Sequence, residues 1–191
     1  MANQSSRWSR KRIMTLKELL SDRASMAAGI ALGITISLFF SYVKPLVAIA
    51  FFIIIGAASL LYNRFIKVSL GFELIMLVTV LAGFLYGIPA ALITGVTAMF
   101  LAFLVTGHFT QGSIVSFIGI AAVSLLIPFF KGMGITTAGI ILTVVYDAII
   151  AAGYLALGSR IERTALFVAT HILFNIWVFM VLAPRIYGLL A

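Results

Sequence analysis

The chain has 191 residues, of which 63% are hydrophobic and 9% are charged. A soluble domain carries about 25% charged residues, because water has to solvate its surface. The composition excludes a water-soluble fold and predicts one bundle of transmembrane helices without a second soluble domain. The formal net charge of +8 does not indicate a nucleic-acid partner, since six of the 13 Lys and Arg residues lie in the first 23 residues and no basic and aromatic repeat follows them.

The first segment, residues 1–23, is predicted to be a basic cytoplasmic anchor. Its Lys and Arg residues precede the first apolar stretch, where basic residues bind the anionic headgroups of the lipid bilayer. Thr15 and Glu18 fit a capping box, so we expect a short interfacial helix to begin there. The remaining residues, 24–191, are predicted to form a single transmembrane helical bundle.

A helix needs about 20 mostly apolar residues to cross a bilayer, with about 17 as the lower limit. The sequence predicts seven spans, separated by breaks that contain Gly, Pro or charged residues. The spans cover residues 25–43, 46–62, 71–86, 88–106, 113–130, 135–157 and 164–183. The second one has an alternative interpretation as a re-entrant or tilted segment, which would leave six spans.

The distribution of basic residues predicts the orientation, because short loops rich in Lys and Arg stay in the cytoplasm. With a cytoplasmic N-terminus and seven spans, the inner side carries ten Lys and Arg residues and the outer side carries three. The inner residues outside the first segment are Arg64, Lys67, Arg160 and Arg163, and the outer ones are Lys44, Lys131 and Arg185. We therefore expect a multi-pass protein of a prokaryotic plasma membrane, with its C-terminus outside.

Polar side chains on the last two spans are the leading candidates for a site. Asp147 and His171 are expected at similar depth on consecutive antiparallel helices, and Asn175 shares a face with His171. Thr143 and Tyr154 continue the stripe that contains Asp147. An ionisable residue inside lipid costs about 2.5–3.5 kcal/mol on insertion scales, so it needs a partner or a function. Two interpretations remain: a structural cluster that joins two helices, or a site for a ligand or a proton.

Glu73 and His108 are weaker candidates. Glu73 is expected near the inner end of its span, in a structural pair with Arg64 or Lys67, where a helix N-terminus favours a carboxylate. His108 lies in a predicted inner loop, where a histidine side chain is usually just solvated.

Several kinds of chemistry are excluded by what the sequence lacks. No Cys is present, which excludes disulfides, thiolate metal sites and thiol nucleophiles, and a total of two His argues against a metal centre. No P-loop motif is present to bind ATP. His171 and Asn175 resemble the His-xxx-Asn segment of rhomboid and CAAX-processing proteases, but no Gly-x-Ser-Gly loop or paired Glu-Glu motif accompanies them. We therefore expect no cofactor and no enzymatic activity.

The stretch 71–96, GFELIMLVTVLAGFLYGIPAALITGV, resembles a segment of the substrate-binding S components of energy-coupling-factor (ECF) vitamin transporters. The matching positions are Ala82, Gly83, Gly87, Pro89 (displaced by one residue), Ala91 and Gly95. Ala27 and Ala31 on the first span are similar to that family's Ala-xxx-Ala contact with its transmembrane coupling subunit. Small residues at this spacing let helices approach closely in lipid, either within one chain or between two.

The resemblance implies a subunit that captures a small vitamin-like molecule from the outer side. It would pass this molecule on by rocking against a coupling subunit driven by separate ABC-type ATPases. Polar groups of the later spans would line the pocket, and the candidates are Asp147, His171, Asn175, Tyr154 and Thr143. Members of that family generally have six spans with both ends inside, whereas seven are predicted here.

Two other functions remain open. The first alternative is a non-catalytic scaffold or accessory subunit of a membrane protein complex, as in MreD-like scaffolds, and an intramembrane enzyme ranks third. An outward-opening pocket lined by polar side chains separates the possibilities, since a transport subunit needs one and a scaffold does not.

Overall fold

A computed structural model describes residues 23–66 and 70–191 of the chain. This part of the chain is helical and contains no β-strand. Its eight α-helices are α1 (Arg23–Leu38), α2 (Lys44–Ala58), α3 (Ile75–Tyr86), α4 (Ile88–Thr106), α5 (Gln111–Phe130), α6 (Gly134–Ala156), α7 (Ile161–Val181) and α8 (Ala183–Leu190). The predicted capping box at Thr15 and Glu18 lies outside the described residues.

Four helical stretches in the described residues are long and apolar enough to cross a membrane. They are Ser25–Arg64, Ile88–Thr106, Gln111–Ala156 and Ile161–Val181, with 40, 19, 46 and 21 residues. The longest contains α5 and α6, which pack against each other and are joined by the short 3-10 helix Lys131–Met133. The predicted all-helical class is confirmed for the described residues, and these four stretches are consistent with a membrane protein.

The boundary between α3 and α4 coincides with a predicted break. Gly87 lies between the two helices with a φ of +89°, a conformation that Gly adopts without steric cost. Pro89 follows in the first turn of α4, where the missing N–H of proline removes no helical hydrogen bond. The Tyr-Gly-Ile-Pro sequence therefore ends one helix and starts the next.

The described residues divide into two compact units, with the boundary between residues 44 and 45. In the first unit, α1 continues into the π-helical turn Phe39–Val43. Large apolar side chains of α1 such as Ile30 and Leu32 are exposed, and so are Ala27 and Ala31. Exposed apolar side chains of this kind suit a helix whose solvent is lipid.

The second unit is organised around α3. Every residue from Ile75 to Phe84 is buried. This helix packs against α4, α5, α6, α7 and α8. A helix that is apolar on all sides and covered on all sides is the core of the bundle, and its neighbours carry exposed apolar side chains on their outer faces.

Small residues bring α3, α4 and α5 into close contact. A Cβ atom on Gly83 would meet Ile127, and a Cβ atom on Gly95 would meet Thr79 and Ile120. Close approach of this kind adds the van der Waals contacts that hold helices together in lipid. The small residues at 83 and 95 therefore pack helices within this chain.

The helix predicted within span 71–86 starts later than expected. α3 has 12 residues, a length of about 18 Å, whereas the hydrocarbon core of a bilayer is about 30 Å thick. Residues 70–74 are not helical, and Gly71 packs on the backbone of His171, the eleventh of the 21 residues of α7. A Cβ atom on Gly71 would overlap that backbone. The start of α3 therefore lies beside the middle of α7.

Candidate functional site

The centre of the second unit contains an imidazole between two carboxylates. His171 on α7 is fully buried, and its two ring nitrogens face Asp147 on α6 and Glu73, which precedes α3. Nε2 lies 2.8 Å from Glu73 Oε1. Nδ1 lies 2.9 Å from Asp147 Oδ2, its hydrogen-bond partner, and 2.8 Å from Oδ1, which lies outside the hydrogen-bond direction. We call these three residues the His171 cluster.

The two hydrogen bonds of the His171 cluster determine how many protons it holds. An ionised carboxylate only accepts hydrogen bonds, and an imidazole nitrogen donates only when it is protonated. Each of the two N···O contacts therefore needs a proton of its own. With two protons the three groups carry a net charge of −1, and a third proton makes them neutral.

The two carboxylates of the cluster differ in their other contacts. Glu73 also accepts hydrogen bonds from the backbone N–H groups of Ile75 and Met76, the latter at 3.3 Å. These groups form the N-terminus of α3, where the helix dipole stabilises negative charge. Oδ1 of Asp147 has no hydrogen-bond donor among the described residues. Negative charge is therefore better stabilised on Glu73 than on Asp147.

Aromatic rings cover the imidazole. Phe167, one turn earlier on α7, stacks on His171 with a centroid distance of 5.4 Å and an interplanar angle of 12°. The Tyr146 ring also lies 5.4 Å from it, inclined by 44°. Both nitrogens of His171 are engaged, and no group of three or more His, Cys, Asp or Glu in the described part of the chain is arranged to hold a metal ion.

Three hydroxyl side chains satisfy the non-helical backbone at residues 70–74. Thr170 accepts from the Gly71 N–H at 2.9 Å, Ser59 accepts from the Leu74 N–H at 2.9 Å, and the Tyr62 hydroxyl donates to the Leu70 carbonyl. Inside a membrane protein, irregular backbone is tolerated only where its polar groups find partners. These hydroxyls therefore permit the break in the chain that brings Glu73 to His171.

The predicted contact between Asp147 and His171 is confirmed. Asn175 and Thr143 are buried as well, but they bond within their own helices. The Asn175 amide donates to the His171 carbonyl at 3.0 Å, and the Thr143 hydroxyl donates to the Gly139 carbonyl at 2.8 Å. Their proposed role in binding a ligand stays a prediction.

The position predicted for Glu73 is wrong. It was expected near the inner end of its span, paired with Arg64 or Lys67, but it is buried and bonded to His171. Lys67 lies outside the described residues. The error arose because residues 71–74 were assigned to a helix, which would have placed the carboxylate one turn inside the bundle end.

A cavity of about 610 Å³ lies at one end of the second unit. It is enclosed by the last turns of α4 and α6, the first turns of α5 and α7, and the segment that follows α2. Its polar lining consists of Asn63, Thr106, His108, Thr110, Gln111, Ser113, Tyr154, Ser159 and Arg163. None of the described lining residues is acidic.

The cavity and the His171 cluster are separate. Of the five predicted binding residues, Tyr154 lines the cavity, whereas Asp147, His171, Asn175 and Thr143 do not. The Tyr154 hydroxyl instead lies 3.1 Å from that of Ser116 on α5. The predicted pocket on α6 and α7 is therefore closed at the cluster and open only near the helix ends.

The described residues form an all-helical bundle with helices long and apolar enough to cross a membrane, a buried ionisable cluster and a polar cavity. Comparison with known proteins finds no match: no family model fits the chain, and no curated protein and no solved structure is significantly similar to it. The function therefore has to be inferred from the residues of the site.

Proposed function

We propose that the chain is the small-molecule-binding subunit of a membrane transporter and has no ATPase of its own. The observation that carries this proposal is the cavity of about 610 Å³. Ligand pockets commonly measure about 300–1,000 Å³ and combine an apolar wall with a few polar groups. Leu60, Ile66 and Phe103 supply the apolar part, and Arg163 supplies a cation. The ligand we expect is a polar or anionic molecule of the size of a vitamin.

The proposed topology has seven crossings with a cytoplasmic N-terminus. The 40-residue and 46-residue apolar stretches contribute two crossings each, because one crossing takes about 20 residues. α3 and the non-helical residues before it form another crossing. The basic residues Arg64, Arg160 and Arg163 lie at the cavity end, so the positive-inside rule places this end in the cytoplasm.

This orientation modifies the mechanism that the resemblance implies. An outward-opening pocket was expected, whereas the cavity opens at the proposed cytoplasmic end. We propose that this conformation is the one that delivers the ligand, and that capture from outside requires the cavity end to close. Ala27 and Ala31, which are exposed on α1, remain the proposed contact with a transmembrane coupling subunit, itself served by ABC-type ATPases.

A scaffold or accessory subunit is the second candidate, and one observation favours it. The His171 cluster is packed under aromatic rings and separate from the cavity. A cluster of this kind joins α3, α6 and α7 without any need for a ligand, as a structural element of an MreD-like scaffold would.

A binding experiment separates the two candidates. Purified full-length chain is screened by thermal unfolding against a panel of water-soluble vitamins. A transport subunit is stabilised by at least one of them, and this stabilisation is lost in Arg163→Ala. Arg160→Ala is the matched control, because Arg160 is the same residue type nearby but does not line the main cavity. If no vitamin in the panel stabilises the chain, or if both variants lose the stabilisation equally, the proposal is contradicted and the scaffold is favoured.

A further inference from the structure

We propose that the His171 cluster is a buried proton-binding site that exchanges its proton with the cavity through the hydroxyls of Tyr154, Ser116 and Tyr146. The proposal concerns the proton alone and does not depend on which molecule the cavity binds. Three observations carry it: the proton count of the cluster, a buried acceptor without a hydrogen-bond donor among the described residues, and hydroxyl side chains that lie between the cavity and the cluster.

The proton count shows that the His171 cluster can bind one more proton. With two protons the cluster holds a net negative charge inside the bundle, and one more proton removes it. Glu73 already accepts from two backbone N–H groups in addition to His171. Oδ1 of Asp147 is buried and has no donor. The third proton therefore binds at Oδ1 of Asp147, while Oδ2 keeps its hydrogen bond from His171.

Three hydroxyl side chains lie between the cavity and the His171 cluster. Tyr154 lines the cavity, and its hydroxyl lies 3.1 Å from that of Ser116. The Tyr146 ring packs at Gly119, three residues after Ser116 on α5, and its centroid lies 5.4 Å from that of the His171 ring. A hydroxyl group both donates and accepts hydrogen bonds, so these three groups can pass a proton from one to the next.

The face of α5 that meets these tyrosines is shaped for them. A Cβ atom on Gly112 would lie 3.1 Å from the Tyr154 ring, and a Cβ atom on Gly119 would lie 2.8 Å from the Tyr146 ring. Ser116 lies midway between these two glycines on the same helix. The two glycines let the phenol rings approach α5 closely on either side of Ser116.

The ionisable groups that face the cluster come from three places. Glu73 precedes α3. α6 carries Asp147, Tyr146 and Tyr154. Tyr62 follows α2 and interacts with Glu73. α5 contributes Ser116, which does not titrate. No Lys or Arg of the described residues is among the groups that interact with Asp147 or His171.

Infrared difference spectroscopy of the full chain in liposomes tests the binding place. The chain contains five Asp and Glu residues, so the carbonyl band of one protonated acid can be assigned by substitution. We expect such a band at low pH, absent in Asp147→Asn and retained in Glu73→Gln. A band that survives Asp147→Asn and disappears in Glu73→Gln would overturn the assignment. Absence of any buried-acid band in the folded protein would overturn the site itself.

Exchange of the His171 ring proton tests the route. Histidine labelled with ¹⁵N gives ring signals from two residues, because the chain has two His, and the exposed His108 serves as an internal reference. Tyr154→Phe and Ser116→Ala are expected to slow hydrogen–deuterium exchange at His171 about tenfold, the rate factor that follows from losing one hydrogen bond of a relay. Tyr62→Phe is the control, since its hydroxyl bonds the Leu70 carbonyl. Equal slowing in all three variants, or no slowing in any, overturns the route.

Discussion

Polar side chains are buried and paired at the centre of the second unit, whereas several at its end are exposed. At the centre, Glu73, Asp147 and His171 are covered by protein and bonded to one another. At the end, polar side chains such as Gln111 and Arg163 face open space. Substitutions at the centre should therefore reduce stability, because they leave buried groups unpaired. Substitutions at the end should change binding and leave stability nearly unchanged.

The largest effect is expected for His171→Leu. This substitution leaves two buried carboxylates without their common partner, and breaking a buried ion pair in this way costs about 3–5 kcal/mol. His108→Leu is the matched control, because His108 is exposed and should change stability by less than about 0.5 kcal/mol. Thermal unfolding of both variants in the same detergent measures the difference. Equal stability of the two variants would mean that the cluster does not hold the helices together.

A smaller loss is expected for Gly71→Ala. The added methyl group overlaps the His171 backbone, and overpacking of this kind costs about 1–3 kcal/mol. Gly132→Ala is the control, since a Cβ atom on Gly132 would meet nothing within 4 Å. If Gly71→Ala unfolds at the same temperature as the wild-type protein, the close approach of residues 70–74 to α7 is wrong.

Thr170→Val should have a smaller effect again. It removes the acceptor of the Gly71 N–H, and loss of a typical hydrogen bond costs about 0.5–1.5 kcal/mol. Thr164→Val lies on the same helix and removes a buried hydroxyl that has no partner among the described residues, so it should be neutral or stabilising. We expect Thr170→Val to unfold at a lower temperature than Thr164→Val. The reverse order would contradict the role given to Thr170.

The sequence predicted part of this comparison. The antiparallel pair of α6 and α7 follows from two apolar runs with a short break, and helical periodicity then places Asp147 beside His171. Glu73 was misplaced because no proline and no second charged residue separates residues 71–74 from the helix that follows. Helix propensity does not reveal that Gly71 contacts a backbone, and the hydroxyls of Ser59 and Thr170 are scattered along the chain. A carboxylate two residues after a glycine, in an otherwise apolar run, was the available signal.

The smallest effect on stability is expected for the double substitution Ala27→Leu with Ala31→Leu. Both residues are exposed on α1, so larger side chains should fit without loss of folding. If this face contacts a coupling subunit, co-purification with that subunit from the native host should be lost, because leucine prevents close approach of helices. A variant that misfolds would show that the face packs within the chain and would remove the proposed contact.

The most direct test of the proposed function is the accessibility of a single cysteine in the cavity. The chain has no Cys, so Gln111→Cys introduces the sole thiol, at an exposed position in the cavity lining. Gly132→Cys, in the turn between α5 and α6 at the other end, is the control. A membrane-impermeant maleimide should label residue 111 in inside-out vesicles and residue 132 in right-side-out vesicles, and a bound vitamin should protect residue 111 alone. Labelling of residue 111 from the outside, or labelling that no vitamin in the panel reduces, would contradict a ligand cavity that opens to the cytoplasm.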